Sequence, residues 1–150
     1  MSTPAAAVTL REITAETVRT VCDLQVRPEQ QAFVASNAVS IAQAHFDAKA
    51  WFRAIYAGEE PVGFVMLSLD EKTPEYCIWR FMIDARHQGR GYGRAALELA
   101  IDAIRGRPGA TEVLLSYVPA PGGPEAFYRQ AGFQPTGQVI EGEVVMKRLL

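Results

Sequence analysis

The stretch Met82-Ile83-Asp84-Ala85-Arg86-His87-Gln88-Gly89-Arg90-Gly91-Tyr92-Gly93-Arg94 joins the most apolar strand pattern of the chain to its most regular helical pattern. Before it, Tyr76 to Ile83 (YCIWRFMI) is apolar on both faces except for Arg80, which predicts a central strand. After it, Gly91 to Arg105 reads as a helix whose one polar stripe is Arg94, Glu98, Asp102 and Arg105. The rest of that helix is apolar and suits burial against a sheet. Between strand and helix, three glycines in five positions let the backbone turn sharply and a ligand approach closely. The helix start offers unpaired N–H groups and a positive dipole end, and Arg86, Arg90 and Arg94 add charge there. His87 contributes when protonated, or else covers the loop. Phosphate or pyrophosphate binding follows from this chemistry, whereas the identity of the ligand does not.

Outward from this stretch the pattern alternates between strand and helix. Val8 to Ile13 predicts a first strand, and Thr14 stands as N-cap of a helix ending before Pro28. Ser40 opens a second helix, with Gln43 as its capping-box partner, running to about Ala48. Trp51 to Ala57 and Val62 to Leu69 form a hairpin around a four-residue turn, Gly58-Glu59-Glu60-Pro61. Beyond the long helix come a strand at Val113 to Val118, the Pro/Gly-rich loop PAPGGP and a short helix from Glu125 to Gln130 closed by Gly132. Phe133–Ile140 and Glu143–Leu149 make a last hairpin around Glu141-Gly142. The order β-α-α-β-β-β-α-β-α-β-β mixes hairpins with crossovers and predicts an α/β (α+β) fold, a mixed central sheet flanked by helices.

With 150 residues the chain is read as one domain, residues 1–7 being a loose end. Fifteen basic and 17 acidic residues leave a formal charge of −2, which argues against a general nucleic-acid binder. No segment approaches the roughly 18 apolar residues that span a bilayer. Cys22 and Cys77 make no disulfide framework, and with His45 and His87 they form no metal-binding spacing. The expectation is a cytoplasmic protein with neither a metal nor a membrane partner.

Three kinds of phosphate loop compare with the glycine stretch. A P-loop requires Gly-Lys-Ser/Thr, but Gly93 is followed by Arg-Ala-Ala. A dinucleotide fingerprint is nominally present from Gly91 to Ala96, yet the acid about 20 residues on, Glu112, stands at the wrong end of its strand to reach a ribose. The third match is to the GNAT acetyltransferase superfamily. Gln88-Gly89-Arg90-Gly91-Tyr92-Gly93 resembles its Gln/Arg-x-x-Gly-x-Gly/Ala acetyl-CoA loop, and Ala126 to Phe133 (AFYRQAGF) resembles its segment of tyrosine followed by Gly-Phe. The element order from Val8 to Leu149 also agrees, which implies about seven strands and about four helices. Within the superfamily, Phe33–Asn37, Trp79–Asp84 and Gly142–Lys147 look like runs of bacterial spermine/spermidine acetyltransferases.

The resemblance implies acetyl transfer from acetyl-CoA to an amine by direct attack in a ternary complex. It implies Met82 and Ile83 along the pantetheine arm, Gln88 to Arg94 around the pyrophosphate, and an N–H near Ile83 facing the oxyanion. It implies Tyr128 as the acid that protonates the departing thiolate. The family's asparagine about seven residues before that tyrosine is Pro121 here. For the base, Glu75 and Tyr76 are candidates through a held water, and Arg80 is expected to pair with a structural acid. A polyamine is the favoured acceptor, with Glu29, Asp70, Glu71, Glu75, Glu125, Glu141 and Glu143 available to meet its ammonium groups. Specificity is expected from roughly Arg27 to Ser40. The alternatives are another small amine or a protein N-terminus, or a non-catalytic acetyl-CoA sensor. Family members commonly dimerise, and the C-terminal strands offer an edge for it.

Overall fold

The computed structural model describes residues 6–150. Its strands are β1 (Val8–Arg11), β2 (Ala50–Ala57), β3 (Glu60–Asp70), β4 (Glu75–Ile83), β5 (Glu112–Tyr117), β6 (Gln134–Ile140) and β7 (Glu143–Leu149). The helices are α1 (Val18–Asp23), α2 (Asn37–His45), α3 (Tyr92–Arg105) and α4 (Glu125–Gln130). One sheet of order β1-β2-β3-β4-β5-β7-β6 carries them, and it is mixed, as the pattern of hairpins and crossovers predicts. Every neighbouring pair is antiparallel except β4–β5, the pair joined through α3.

The two faces of the sheet bury separate apolar layers. On one, Leu97, Ala100, Ile101 and Ile104 of α3 pack with Val65, Leu67, Tyr76, Ile78, Phe133 and Met146. On the other, Val21 of α1 packs with Ala54, Phe64, Met66 and Met82, and Ile41 of α2 adds to it. The polar stripe of α3 faces outward, where Glu98 bonds Arg148 of β7 at 2.7 Å.

Several element boundaries differ from those predicted. The Thr14–Thr17 segment is a turn rather than a helix start: Val18 N–H donates to Thr14 O, and α1 ends at Asp23 because Leu24 is extended. Ser36, not Ser40, caps α2, accepting the Val39 N–H at 3.2 Å. Ser40 lies buried inside the helix and donates to Ser36 O. The β2–β3 turn has two central residues, Gly58 and Glu59, since pairing continues to Ala57↔Glu60. The loose end expected over residues 1–7 falls mainly outside the described residues. Ala7 is already anchored, its carbonyl accepting the Gly58 N–H at 2.9 Å.

Two irregularities shape the site. Between Met66↔Arg80 and Leu67↔Ile78 the β3–β4 register shifts, leaving Trp79 as an extra residue on β4. Ile78 and Phe81 belong to the α3 layer, while Trp79 packs in the α1–α2 layer and Arg80 reaches Gln43 of α2. The parallel pairing of β4 with β5 covers only Cys77↔Leu114 and Ile78↔Leu115. Beyond it the strands diverge, so the β5-facing edge of Arg80–Ile83 has no strand partner.

Candidate active site

The divergence of β4 and β5 opens a cavity of about 1440 Å³. Its walls come from both strands, the loop before α3, the start of α4, the α1–α2 linker and the β6–β7 hairpin. Of the residues predicted for cofactor binding, Met82, Ile83, Gln88, Gly89, Gly91, Tyr92, Gly93 and Arg94 line it together with Tyr128. Arg90 does not: it is exposed on the outer side of the loop.

The glycine loop has the geometry of an anion seat. Gly89 and Gly91 adopt φ of 78° and 84°, and a Cβ built on either meets nothing within 4 Å. The left-handed backbone, rather than crowding, therefore favours glycine there. Gly91 is the N-cap of α3 and supplies no side-chain acceptor, so the cavity faces an uncapped helix start. Gly93 differs: its Cβ position lies 3.5 Å from Ile83 and Phe127, which leaves room for a small residue only.

The charges around the loop are partly committed. Arg86 is turned away to Asp84 (Nε–Oδ2 2.9 Å). Arg94 lines the cavity and donates to Gln130 O at 2.8 Å. His87 is buried, its Nε2 3.4 Å from Glu60. Asp84 is buried as well; burial alone raises its pKa, but N–H groups of Gln25 and Arg86 and the Arg86 guanidinium more than offset this and hold it below the ordinary value. Gln88 donates to Ile83 O (2.9 Å) and Gln30 Oε1 (2.8 Å), tying the loop to the end of β4 and to the α1–α2 linker.

Tyr128 owes its position to the end of α4. Phe133 N–H donates to Tyr128 O and Gly132 N–H to Arg129 O, both at 3.0 Å, while Gly132 has φ 93°. This double bond pattern around a left-handed glycine is a Schellman cap, which also brings Tyr128 and Phe133 into contact (ring centroids 5.9 Å). Phe127 stacks on Phe81 of the diverging β4 at 5.9 Å, so the aromatic row fixes Tyr128 beside the opening. Tyr128 is 8% exposed, and burial pushes its phenol up to about 12. It therefore stays protonated and able to donate at any physiological pH.

Other expectations need correction. Tyr76 is not available to hold a reacting water: it is buried and its hydroxyl donates to Pro108 O. Arg80 makes no ion pair among the described residues. It donates to Trp79 O and Gln43 Oε1, and its buried Nε has no partner. Burial lowers its guanidinium from the ordinary value, with the charge of Glu143 opposing that shift. Pro121 lies in a turn where Gly123 N–H donates to Ala120 O and Gly122 has φ 77°, and this loop reaches the cavity through Gly122, Gly123 and Pro124. Of the acids available to a cation, Glu75, Glu141 and Glu143 line the cavity, joined by Asp47, which the sequence pattern does not single out. Glu71 and Glu125 instead pair with Arg107 and Arg129, and Asp70 accepts turn N–H groups. Phe127, inside the quoted AFYRQAGF segment but not singled out there, also lines the cavity, and so do Gln30 to Ala35 of the Arg27–Ser40 stretch expected to give specificity.

A model of the acetyltransferase (GNAT) family matches residues 7–133. The chain belongs to the GNAT family. It is accordingly an acetyl-CoA-dependent N-acetyltransferase, an enzyme of the transferase class. It is 27% identical over 153 residues to the spermine/spermidine N(1)-acetyltransferase of Bacillus subtilis (strain 168), covering 95% of this chain and 99% of that one. An acetyltransferase from Thermus thermophilus superposes with a TM-score of 0.73 at 22% identity, covering 95% of this chain and 97% of that chain. The PaiA N-acetyltransferase of Thermoplasma acidophilum, in complex with coenzyme A, gives 0.72 at 13% identity, over 96% and 99%. These structures share the GNAT fold, a seven-stranded mixed sheet with four helices. No helix among the described residues is long and apolar enough to cross a membrane.

Proposed function

We propose that this enzyme acetylates a primary amine of a small molecule, a polyamine such as spermine or spermidine, by direct attack of the amine on acetyl-CoA. The observation that carries the reading is the cavity at the β4–β5 divergence. An uncapped, glycine-lined helix start stands in its wall, and Glu75, Glu141, Glu143 and Asp47 line it as well. The first feature suits the pyrophosphate of the cosubstrate and the second suits a polycation. The B. subtilis relative supports the same acceptor class.

In this reading Gln88 to Arg94 bind the pyrophosphate through backbone N–H groups, with Arg94 adding charge from inside the cavity and Arg90 from outside. Met82 and Ile83 run along the pantetheine arm, and an N–H near Ile83 steadies the developing oxyanion. Tyr128 donates its proton to the departing thiolate. Cys77 also lines the cavity, but burial first and Glu75 second push its thiol up, which keeps it protonated and disfavours an acyl-cysteine route. The reaction belongs in the cytoplasm. A homodimer joined through the C-terminal edge fits as well, since β6 ends the sheet with Val139 and Ile140 exposed.

The test is kcat/KM across spermine, spermidine, an amino acid, an aminoglycoside and a peptide N-terminus. A polyamine should lead the series by about tenfold or more, the discrimination expected when charge-assisted contacts are made by one acceptor and not another. Leadership by any other member would overturn the acceptor assignment.

A further inference from the structure

We propose that Glu143 seats an ammonium group of the acceptor at the β4–β5 divergence. This rests on the amine-acceptor reading above and adds the residue that meets the amine.

The placement follows from the topology. Strand pairing ends at Ile78 and Leu115, so Arg80 and Ser116 stand just past the last paired residues on the two diverging strands. Ser116 donates to Glu143 Oε1 at 3.3 Å, which ties the carboxylate to the β5 side of the opening and leaves its second oxygen without a side-chain donor among the described residues. Trp79, the extra residue on β4, brings Arg80 onto the α1–α2 face, opposite the α3 layer that holds Tyr128. Glu143 is the acid whose charge acts on Arg80, yet the two do not close into an ion pair. A cation and an anion thus stand apart at one opening, with Arg80 Nε buried and unpartnered.

The other cavity acids are less suited. Asp47 accepts the Lys49 N–H in its own turn, Glu75 begins β4 below the divergence, and Glu141 sits at the tip of the β6–β7 turn with φ 52°. Three separated runs singled out in the sequence converge here: Phe33–Ala35, Trp79–Arg80 and Glu143 all line the same cavity. The α1–α2 linker supplies an apolar wall through Phe33 and Val34, suited to the methylenes of a diamine.

The experiment is calorimetric titration of spermidine into the CoA-loaded enzyme, wild type against Glu143→Gln, with CoA affinity and Tm measured for each. Glu143→Gln keeps the shape and the Ser116 contact but removes the charge; spermidine should bind about tenfold or more weakly while CoA affinity and Tm hold. Unchanged spermidine affinity in Glu143→Gln would overturn the assignment while leaving the polyamine reading intact. A wild type that ignores spermidine yet acetylates another amine overturns the polyamine reading; the same titration with that amine then decides the role of Glu143.

Discussion

Tyr128 shows how much a single position depends on its surroundings. A free phenol titrates near 10, so burial that lifts this one to about 12 protects its proton rather than activating it as a base. A thiolate is already a fair leaving group, with a thiol pKa of about 8.5, so proton donation should give around a hundredfold. Tyr128→Phe is expected to lower kcat by that order in steady-state thiol release while acetyl-CoA affinity barely moves; an unchanged kcat removes Tyr128 from the chemistry. Asp84 offers a second residue-level check. Its lowered pKa means that it stabilises the fold fully above the ordinary carboxylate value of about 4 and loses that contribution as pH falls through its lower folded value. Asp84→Asn should therefore cost about 1.5–3 kcal/mol at neutral pH and flatten the acid limb of the unfolding free energy, measured by urea titration at a series of pH values. An acid limb as steep as that of wild type would contradict it.

At the scale of elements, the two helix ends nearest the cavity do opposite things. The start of α3 is left open by Gly91, and the end of α4 is closed by Gly132. Gly91→Glu puts bulk and negative charge where the pyrophosphate is expected, so acetyl-CoA binding should vanish by calorimetry. Gly91→Ala, which has the same backbone strain without the charge, should keep measurable binding; equal binding by both variants would refute the loop assignment. At α4, Gly132→Ala meets only ordinary contact with Arg148 but must hold φ near 93°. It should cost about 1–2 kcal/mol in denaturant titration. A neutral result would mean that the cap relaxes without penalty. Both glycines are legible in the sequence because each stands where a periodic pattern begins or stops. The start of α2 is not: Ser36 and Ser40 carry the same chemistry, and what separates them is the burial of Asn37 and Ser40 against other elements. Local pattern has no access to that packing.

Across the whole molecule, what the sequence shows and what it hides divide along the same line. The strands, the hairpins and the long α3 helix follow from hydrophobic period and turn residues, whereas the strand order and the opening shared by the glycine loop and Tyr128 emerge only in the fold. The side-chain partnerships come from tertiary geometry. Arg86 spends its charge on Asp84, Arg90 is exposed and does not line the cavity, Arg80 pairs with no acid among the described residues, and only some of the acidic residues converge on the cavity. Near-neutral net charge conceals this separation, since a cationic helix entrance and a group of carboxylates share one cavity. In the proposed reading the sheet serves both substrates at one place, because β4 and β5 part within it and open a single cavity. The most direct measurement is thiol release from acetyl-CoA by the purified enzyme with spermidine, with the product identified by mass spectrometry. Thiol release should match formation of acetylated spermidine one for one. Tight acetyl-CoA binding with no acetylated product from spermidine or any other amine would contradict the catalytic account and mark the protein as a sensor.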